Sequence, residues 1–212
     1  MSNIYFNESG KIIGNGSNTS KVLVHYTGET YGGGVVFYTN VAGTTGYIAA
    51  LDDTPLLNWS CSGSCVVGTK PQTHKGDFFI LGNGYNNTRL IWEKYSGETC
   101  GQSGVSLASY CWNLSLSGYS DWYMPSSAEL DMIYQRRSII PNLNLTGADY
   151  ASSTDLDDPD HPAYPNAFHV QNFSTGNRGL SWKYYNFPTR PIRSFGVEYE
   201  QISKPYIEDF KK

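Results

Sequence analysis

The richest set of reactive side chains in the chain lies between residues 155 and 166. This segment reads Asp155-Leu156-Asp157-Asp158-Pro159-Asp160-His161-Pro162-Ala163-Tyr164-Pro165-Asn166. Carboxylate oxygens on a short segment stiffened by proline suit Ca²⁺, an ion that prefers hard oxygen ligands. The calcium ligands under this interpretation are Asp155, Asp157, Asp158 and Asp160. The alternative is a solvated acidic loop that binds no metal and needs no cofactor.

A second candidate site is the aromatic segment Ser181-Trp182-Lys183-Tyr184-Tyr185-Asn186-Phe187. Aromatic faces stack on the C–H surfaces of sugars and amide groups bind hydroxyls, so this mixture suits glycan recognition. The alternative is a strand with Trp182 and Tyr184 buried and with Lys183 and Tyr185 exposed. Across both segments, the candidate ligand-binding residues are Trp182, Tyr184, Tyr185, Asn186, Asp155, Asp157, Tyr164 and Asn166.

The sequence carries no recognisable catalytic motif. Its histidines are scattered at positions 25, 74, 161 and 169, and no Gly-x-Ser-x-Gly nucleophile elbow occurs. We therefore predict that the protein is not an enzyme.

Four cysteines allow three chemical interpretations. Cys61 with Cys65 and Cys100 with Cys111 could form local disulfides, which is one of three possible pairings. A zinc site is the second interpretation, although C-x3-C followed later by C-x10-C matches no familiar zinc spacing. Free buried thiols are the third.

Several elements are predicted to position these segments. A glycine-led strand covers Gly32 to Tyr38, and a strand of apolar and aromatic residues begins at Val22 and ends at Tyr26. A helix is expected from Ser106 to Leu114. The strongest signal is Ser126-Ser127-Ala128-Glu129, a capping box that opens a helix from Ser127 to Gln135. Its buried side is predicted to carry Leu130, Ile133 and Tyr134.

The segment Gly118-Tyr119-Ser120-Asp121-Trp122-Tyr123-Met124-Pro125-Ser126-Ser127-Ala128-Glu129-Leu130 carries a family resemblance. It resembles the signature of the Lcl C-terminal domain family, named for a domain of a bacterial collagen-like adhesin. Further similar motifs, in order, are Gly32 to Tyr38, Gly46 to Ala50, Ala108 to Cys111, Tyr150 to Thr154, Ala167 to Val170, Phe173 to Gly176 and Arg190 to Phe195. Together they span residues 30 to 196.

The resemblance implies an α+β, C-type-lectin-like fold: a mostly antiparallel twisted sheet with two helices and long loops. Lectin-like folds host adhesins and phage receptor-binding proteins, and relatives suggest a homotrimer. The resemblance thus implies a surface-exposed module that binds mucin or another cell-surface polysaccharide. The alternative is a structural decoration protein of a virion or fibre, whose contacts are with protein.

Length and composition agree with one loop-rich binding domain. The chain has 212 residues, with 17 Tyr and 5 Trp, and its formal net charge of −4 argues against nucleic acid as a partner. We predict a domain at residues 22–196, flanked by an N-terminal segment, 1–21, and a C-terminal tail, 197–212. No apolar run is long enough for membrane insertion. The N-terminus also lacks a secretory signal, so we expect a virion surface or an extracellular location, with residues 1–21 as a possible anchor on a capsid or fibre protein.

Overall fold

The computed structural model describes residues 20–60, 82–95, 104–156 and 166–201, together with two short strands near the N-terminus. The strands are β1 (Tyr5–Phe6), β2 (Ile12–Ile13), β3 (Ser20–Val22), β4 (Thr30–Tyr31), β5 (Gly34–Thr39), β6 (Gly46–Ala50), β7 (Leu57–Asn58), β8 (Asp149–Asp155), β9 (Ala167–Asn172), β10 (Arg178–Trp182), β11 (Asn186–Phe187), β12 (Ile192–Phe195) and β13 (Tyr199–Gln201). The helices are α1 (Gly84–Tyr95), α2 (Leu107–Trp112) and α3 (Ser127–Gln135).

The fold is α+β, and every strand pairing within the described residues is antiparallel. A four-stranded sheet has the order β12-β6-β5-β4, and a three-stranded sheet has the order β10-β9-β8. The remaining pairs are β1 with β2, β11 with β7 and β13 with β3. In the last pair, residues 199–201, which belong to the predicted C-terminal tail, lie beside residues 20–22.

Both faces of the four-stranded sheet are buried. On one face Phe37 and Ala49 pack in a cluster with Leu130 and Ile133 of α3. The opposite face packs in a second cluster, in which Trp122 is fully buried. Its members are Val36, Ile48, Ala50, Trp122 and Phe195. The sheet therefore forms the middle layer of the core.

Helix α3 confirms the prediction made from its capping box. Its bounds are those expected, the Ser126 hydroxyl accepts from the Glu129 amide, and the Glu129 side chain accepts from the Ser126 amide. Leu130 and Ile133 are buried, whereas Tyr134 is only half-buried. The described residues contain three helices instead of the expected two, because residues 84–95 also form a regular helix.

The predicted strand from Val22 to Tyr26 is wrong beyond its first residue. Strand β3 ends at Val22, and the amides of Leu23 and His25 donate to two unrelated segments, at Glu198 and Gly43. The Tyr26 amide then donates to the Glu29 carboxylate, 3.1 Å away, within a turn. The apolar and aromatic residues after Val22 therefore do not continue the β-ladder of strand β3.

The described helices are too short to cross a membrane. Helix α1, with 12 residues, is the longest of the three, and none in the described part of the chain combines enough length with enough apolar character for a span.

Candidate functional site

The two candidate segments of the sequence meet at one end of the three-stranded sheet. Asp155 is the last residue of β8, and Ala167, the first residue of β9, pairs with Trp182 of β10. The Lys183 amide donates to the Asn166 carbonyl over 2.8 Å. The structure thus brings together Asp155, Asn166 and the aromatic segment. Asp157, Asp158, Asp160 and Tyr164 lie outside the described residues.

Lys183 points into the protein, contrary to the strand alternative. Its side chain is 1% exposed, and its Nζ lies 2.5 Å from Oδ1 of Asp155, whose side chain is 0% exposed. The chain leaves β10 at Trp182 and turns, with the Tyr185 amide donating to the Trp182 carbonyl over 3.1 Å. Because the segment is a turn and not a continuous strand, the alternation that would expose Lys183 does not apply.

Beneath Lys183 lies a fully buried tryptophan. The Lys183 Nζ is 4.7 Å from the centroid of the Trp59 ring, a distance typical of a cation–π contact. Trp59 Nε1 donates to the Ser152 carbonyl over 2.7 Å, and the ring stacks on Phe168 with centroids 5.4 Å apart. The ammonium group is therefore enclosed by one carboxylate and one aromatic face.

The last residue of β10 and the turn after it carry the three aromatic rings of Trp182, Tyr184 and Tyr185, which we term the aromatic platform. Trp182 is half-buried, whereas Tyr184 is 59% exposed and Tyr185 is 53% exposed. The ring planes of Trp182 and Tyr184 are 11° from parallel, with centroids 6.1 Å apart. Tyr185 meets Tyr184 edge-on, with centroids 4.7 Å apart. Exposed rings of this kind offer flat apolar surface next to phenolic hydroxyls.

Amide side chains border the platform. Asn186 is exposed on β11 and pairs with Asn58 of β7, and the Asn58 Nδ2 donates to the Tyr184 carbonyl over 2.7 Å. Asn166 is half-buried just before β9. Sequence reasoning missed Asn58 and Trp59, because nothing local links them to residues more than 100 positions further along the chain. The Asn58-Trp59 dipeptide gave no signal beyond its polar, aromatic character.

The described residues contain no group of three His, Cys, Asp or Glu side chains that could hold a metal ion. Asp155, one of the predicted calcium ligands, faces an ammonium group instead. A positive charge at this distance from the carboxylate opposes a second cation on the same oxygen. The other three predicted ligands, at positions 157, 158 and 160, lie outside the described residues.

No protein-family model matches the chain, and no curated protein matches its sequence. Its function is therefore inferred below from the chemistry of the site.

Two buried polar groups in different parts of the core, the Ser152 hydroxyl and the His25 imidazole, make structural contacts. The Ser152 hydroxyl donates to the His169 backbone carbonyl over 2.8 Å, and His25 Nδ1 lies 3.2 Å from the Glu29 carboxylate. Burial, together with the nearby charge of Arg178, lowers the pKa of His169 from 6.5 to about 4. His169 is therefore neutral at physiological pH, and its imidazole lies against the small cavity lined by Ser127, Ser152, Gln171 and Arg178.

Cys111 is a free, buried thiol on α2, which for this residue agrees with the third interpretation and excludes the possible disulfide with Cys100. Burial raises the pKa of the Cys111 thiol, which keeps it protonated and unreactive. Cys61, Cys65 and Cys100 lie outside the described residues.

Proposed function

We propose that this protein is a non-enzymatic, surface-exposed module that binds glycans through the aromatic platform. The observation that carries the proposal is the geometry of Trp182 and Tyr184, two nearly parallel rings, with Tyr184 and Tyr185 more than half exposed. Large aromatic side chains are costly to leave in water, and a cluster of them on a surface is typical of a binding site. Flat rings beside amide groups match the alternating C–H faces and hydroxyls of a sugar.

The energetics suit a ligand with repeated sugar units. Three rings and the neighbouring amide groups can cover only a single sugar unit, so we expect each site to bind one unit weakly. Display of many copies on a particle or cell raises the overall affinity by about 10²–10⁴-fold through avidity. Mucin and cell-surface polysaccharides present such repeated units.

A virion or a bacterial surface, the carriers that the family resemblance suggests, could display such copies. We place the chain, as a proposal, among C-type-lectin-like domains similar to the Lcl C-terminal domain family, on a virion or bacterial surface. The α+β architecture with antiparallel sheets is compatible with that class. Because lectin-like folds host unrelated functions, the proposal rests on the platform and not on the fold.

Retention of the purified protein on immobilised mucin and on a glycan panel tests the proposal. Trp182→Ala and Tyr184→Ala should each reduce retention at least about tenfold while the protein remains folded, which corresponds to a loss of roughly 1.4 kcal/mol. Tyr26→Ala is the matched control, because Tyr26 is an exposed tyrosine outside the platform. Its retention should equal that of the unmodified protein.

Each other outcome has a definite meaning. Retention that a chelator abolishes would assign a calcium ion to the segment that contains Asp157, Asp158 and Asp160. Retention that both platform variants keep would move the glycan site elsewhere. If the unmodified protein is retained on no glycan, the proposal fails, and a structural component of a virion or fibre becomes the better interpretation.

A further inference from the structure

Lys183 occupies an environment that lysine rarely tolerates. Its side chain is almost completely buried, and a buried ammonium group is stable only when it is paired. Here Asp155 supplies the charge and the Trp59 ring supplies an aromatic face. A pair that is this enclosed orients its side chains more firmly than an exposed ion pair would.

The contacts of Lys183 join three parts of the site. Its Nζ reaches Asp155 at the end of β8, its amide reaches Asn166 just before β9, and its backbone belongs to the turn that carries the platform. With the Lys183 side chain directed inward, Trp182 remains half-buried at the surface and Tyr184 is exposed. The conformation of the turn therefore depends on where the ammonium group is held.

We infer that Lys183 is a positioning residue for the aromatic platform. Its buried ion pair with Asp155 fixes the turn so that the rings of Trp182 and Tyr184 lie parallel at the surface. The strand alternative considered from the sequence would have left Lys183 exposed to solvent. The inference about ring geometry stands alone, whereas its consequence for glycan affinity rests on the proposed function.

The double variant Lys183→Met with Asp155→Asn tests this inference. Removal of both charges avoids leaving one of them buried and unpaired, which would by itself strongly destabilise the protein. Lys94→Met is the matched control: Lys94 is exposed, and its Nζ also lies over an aromatic ring, 5.5 Å from the Tyr95 centroid. Asp155→Asn alone is a second variant. It is used if the double variant shows no cooperative unfolding transition and is therefore not folded. It keeps the shape of the side chain and an acceptor oxygen for the ammonium group.

The decisive readout is the exposure of the Trp182 ring, measured without any glycan. In protein labelled with 5-fluorotryptophan, the ¹⁹F resonance of Trp182 is assigned by its loss in Trp182→Phe. Its shift between H₂O and D₂O reports ring exposure. We expect the double variant to change this solvent shift and to broaden the resonance, with Asp155→Asn in between and Lys94→Met unchanged.

Retention on the glycan that the unmodified protein binds is the second readout. A folded double variant should lose retention at least about tenfold. A Trp182 solvent shift that stays at the value of the unmodified protein in a folded Asp155 or Lys183 variant would overturn the inference. If the unmodified protein binds no glycan, the proposed function fails, and the Trp182 resonance still decides the positioning role.

Discussion

The guanidinium group of Arg193 binds the carboxylate of Asp121 at two points, with Nε 2.7 Å from Oδ1 and Nη2 3.0 Å from Oδ2. The Arg193 side chain is buried, and its guanidinium carbon lies 3.8 Å from the centroid of the Tyr119 ring. This pair attaches the segment before α3 to β12, which lies at one edge of the four-stranded sheet. The two residues are 72 positions apart in the chain, so the pair depends on the tertiary structure.

Asp121→Ala should lower the free energy of unfolding by about 1.5–3 kcal/mol, because it leaves a buried guanidinium without its charged acceptor. Asp121→Asn keeps one acceptor oxygen and should cost less. Urea denaturation measures both. Asp52→Ala is the control, since this exposed carboxylate accepts an exposed hydrogen bond from Asn142 over 2.9 Å, and its loss should stay within about 0.5 kcal/mol. Equal effects at the two positions would contradict this account.

Glu129 is a buried carboxylate that holds a second segment against the start of α3. Beyond the Ser126 amide at 2.7 Å, it accepts from the amides of Gly82 and Gly84, each at 3.1 Å. Burial raises the pKa of Glu129, and these amide hydrogen bonds oppose that rise. The residue thus links helix capping to the beginning of α1.

Glu129→Ala should lower the free energy of unfolding by at least about 3 kcal/mol, since it leaves three amides without their acceptor. Ser126→Ala removes only the other half of the capping box and should cost about 1 kcal/mol. The matched control is Glu93→Ala on α1, where an exposed ion pair with Arg89 should contribute about 0.3–0.5 kcal/mol. Thermal or urea unfolding ranks the three variants, and a Glu129 effect no larger than the Glu93 effect would be incompatible with the structure.

Gly34 is required by a close backbone approach inside the four-stranded sheet. A Cβ at this position would lie 2.0 Å from the Ala49 carbonyl oxygen, which is backbone and cannot move aside cheaply. Gly34→Ala should therefore lower the free energy of unfolding by about 3 kcal/mol, at the upper end of the range for overpacking. Gly196→Ala is the control, because its Cβ would meet nothing within 4 Å. A soluble, equally stable Gly34 variant in denaturant unfolding would show that the strand register differs.

His169 makes the stability depend on pH. Its folded-state pKa of about 4 is below the ordinary value of 6.5, so the unfolded chain binds more protons between these two pH values. The stabilisation from neutral His169 is therefore complete above about pH 6.5 and is lost as the pH falls through 4. The full loss is up to about 3 kcal/mol.

Urea unfolding of the unmodified protein and of His169→Gln, at intervals from pH 7.5 to pH 4, measures the contribution of His169 to the free energy of unfolding. The unmodified protein should lose more free energy of unfolding over that range than the variant loses. Asp53 and Glu129, whose pKa values burial raises, act in the opposite direction, so only the difference between the two proteins isolates His169. Parallel curves would contradict the assignment.

The sequence predicted helix α3 from its ends because the signals are local. Ser126 and Glu129 are three residues apart, and their reciprocal hydrogen bonds need only the first turn of the helix. The same kind of reasoning failed at residues 23–26, where the backbone amides of Leu23 and His25 donate to two separate segments. In strands, the partner decides the structure, and the partner lies elsewhere in the chain.

The candidate site was also predicted only in part from the sequence. Residue types alone identified the aromatic segment around Trp182 and the acidic segment after Asp155 as places where ligand chemistry could occur. Only the tertiary structure brought them to one end of a sheet, added Asn58, and turned Lys183 inward onto Asp155 and Trp59. The physical reason is that a buried charge takes its orientation from partners that are close in space, and the spacing of residues along one segment carries no information about them.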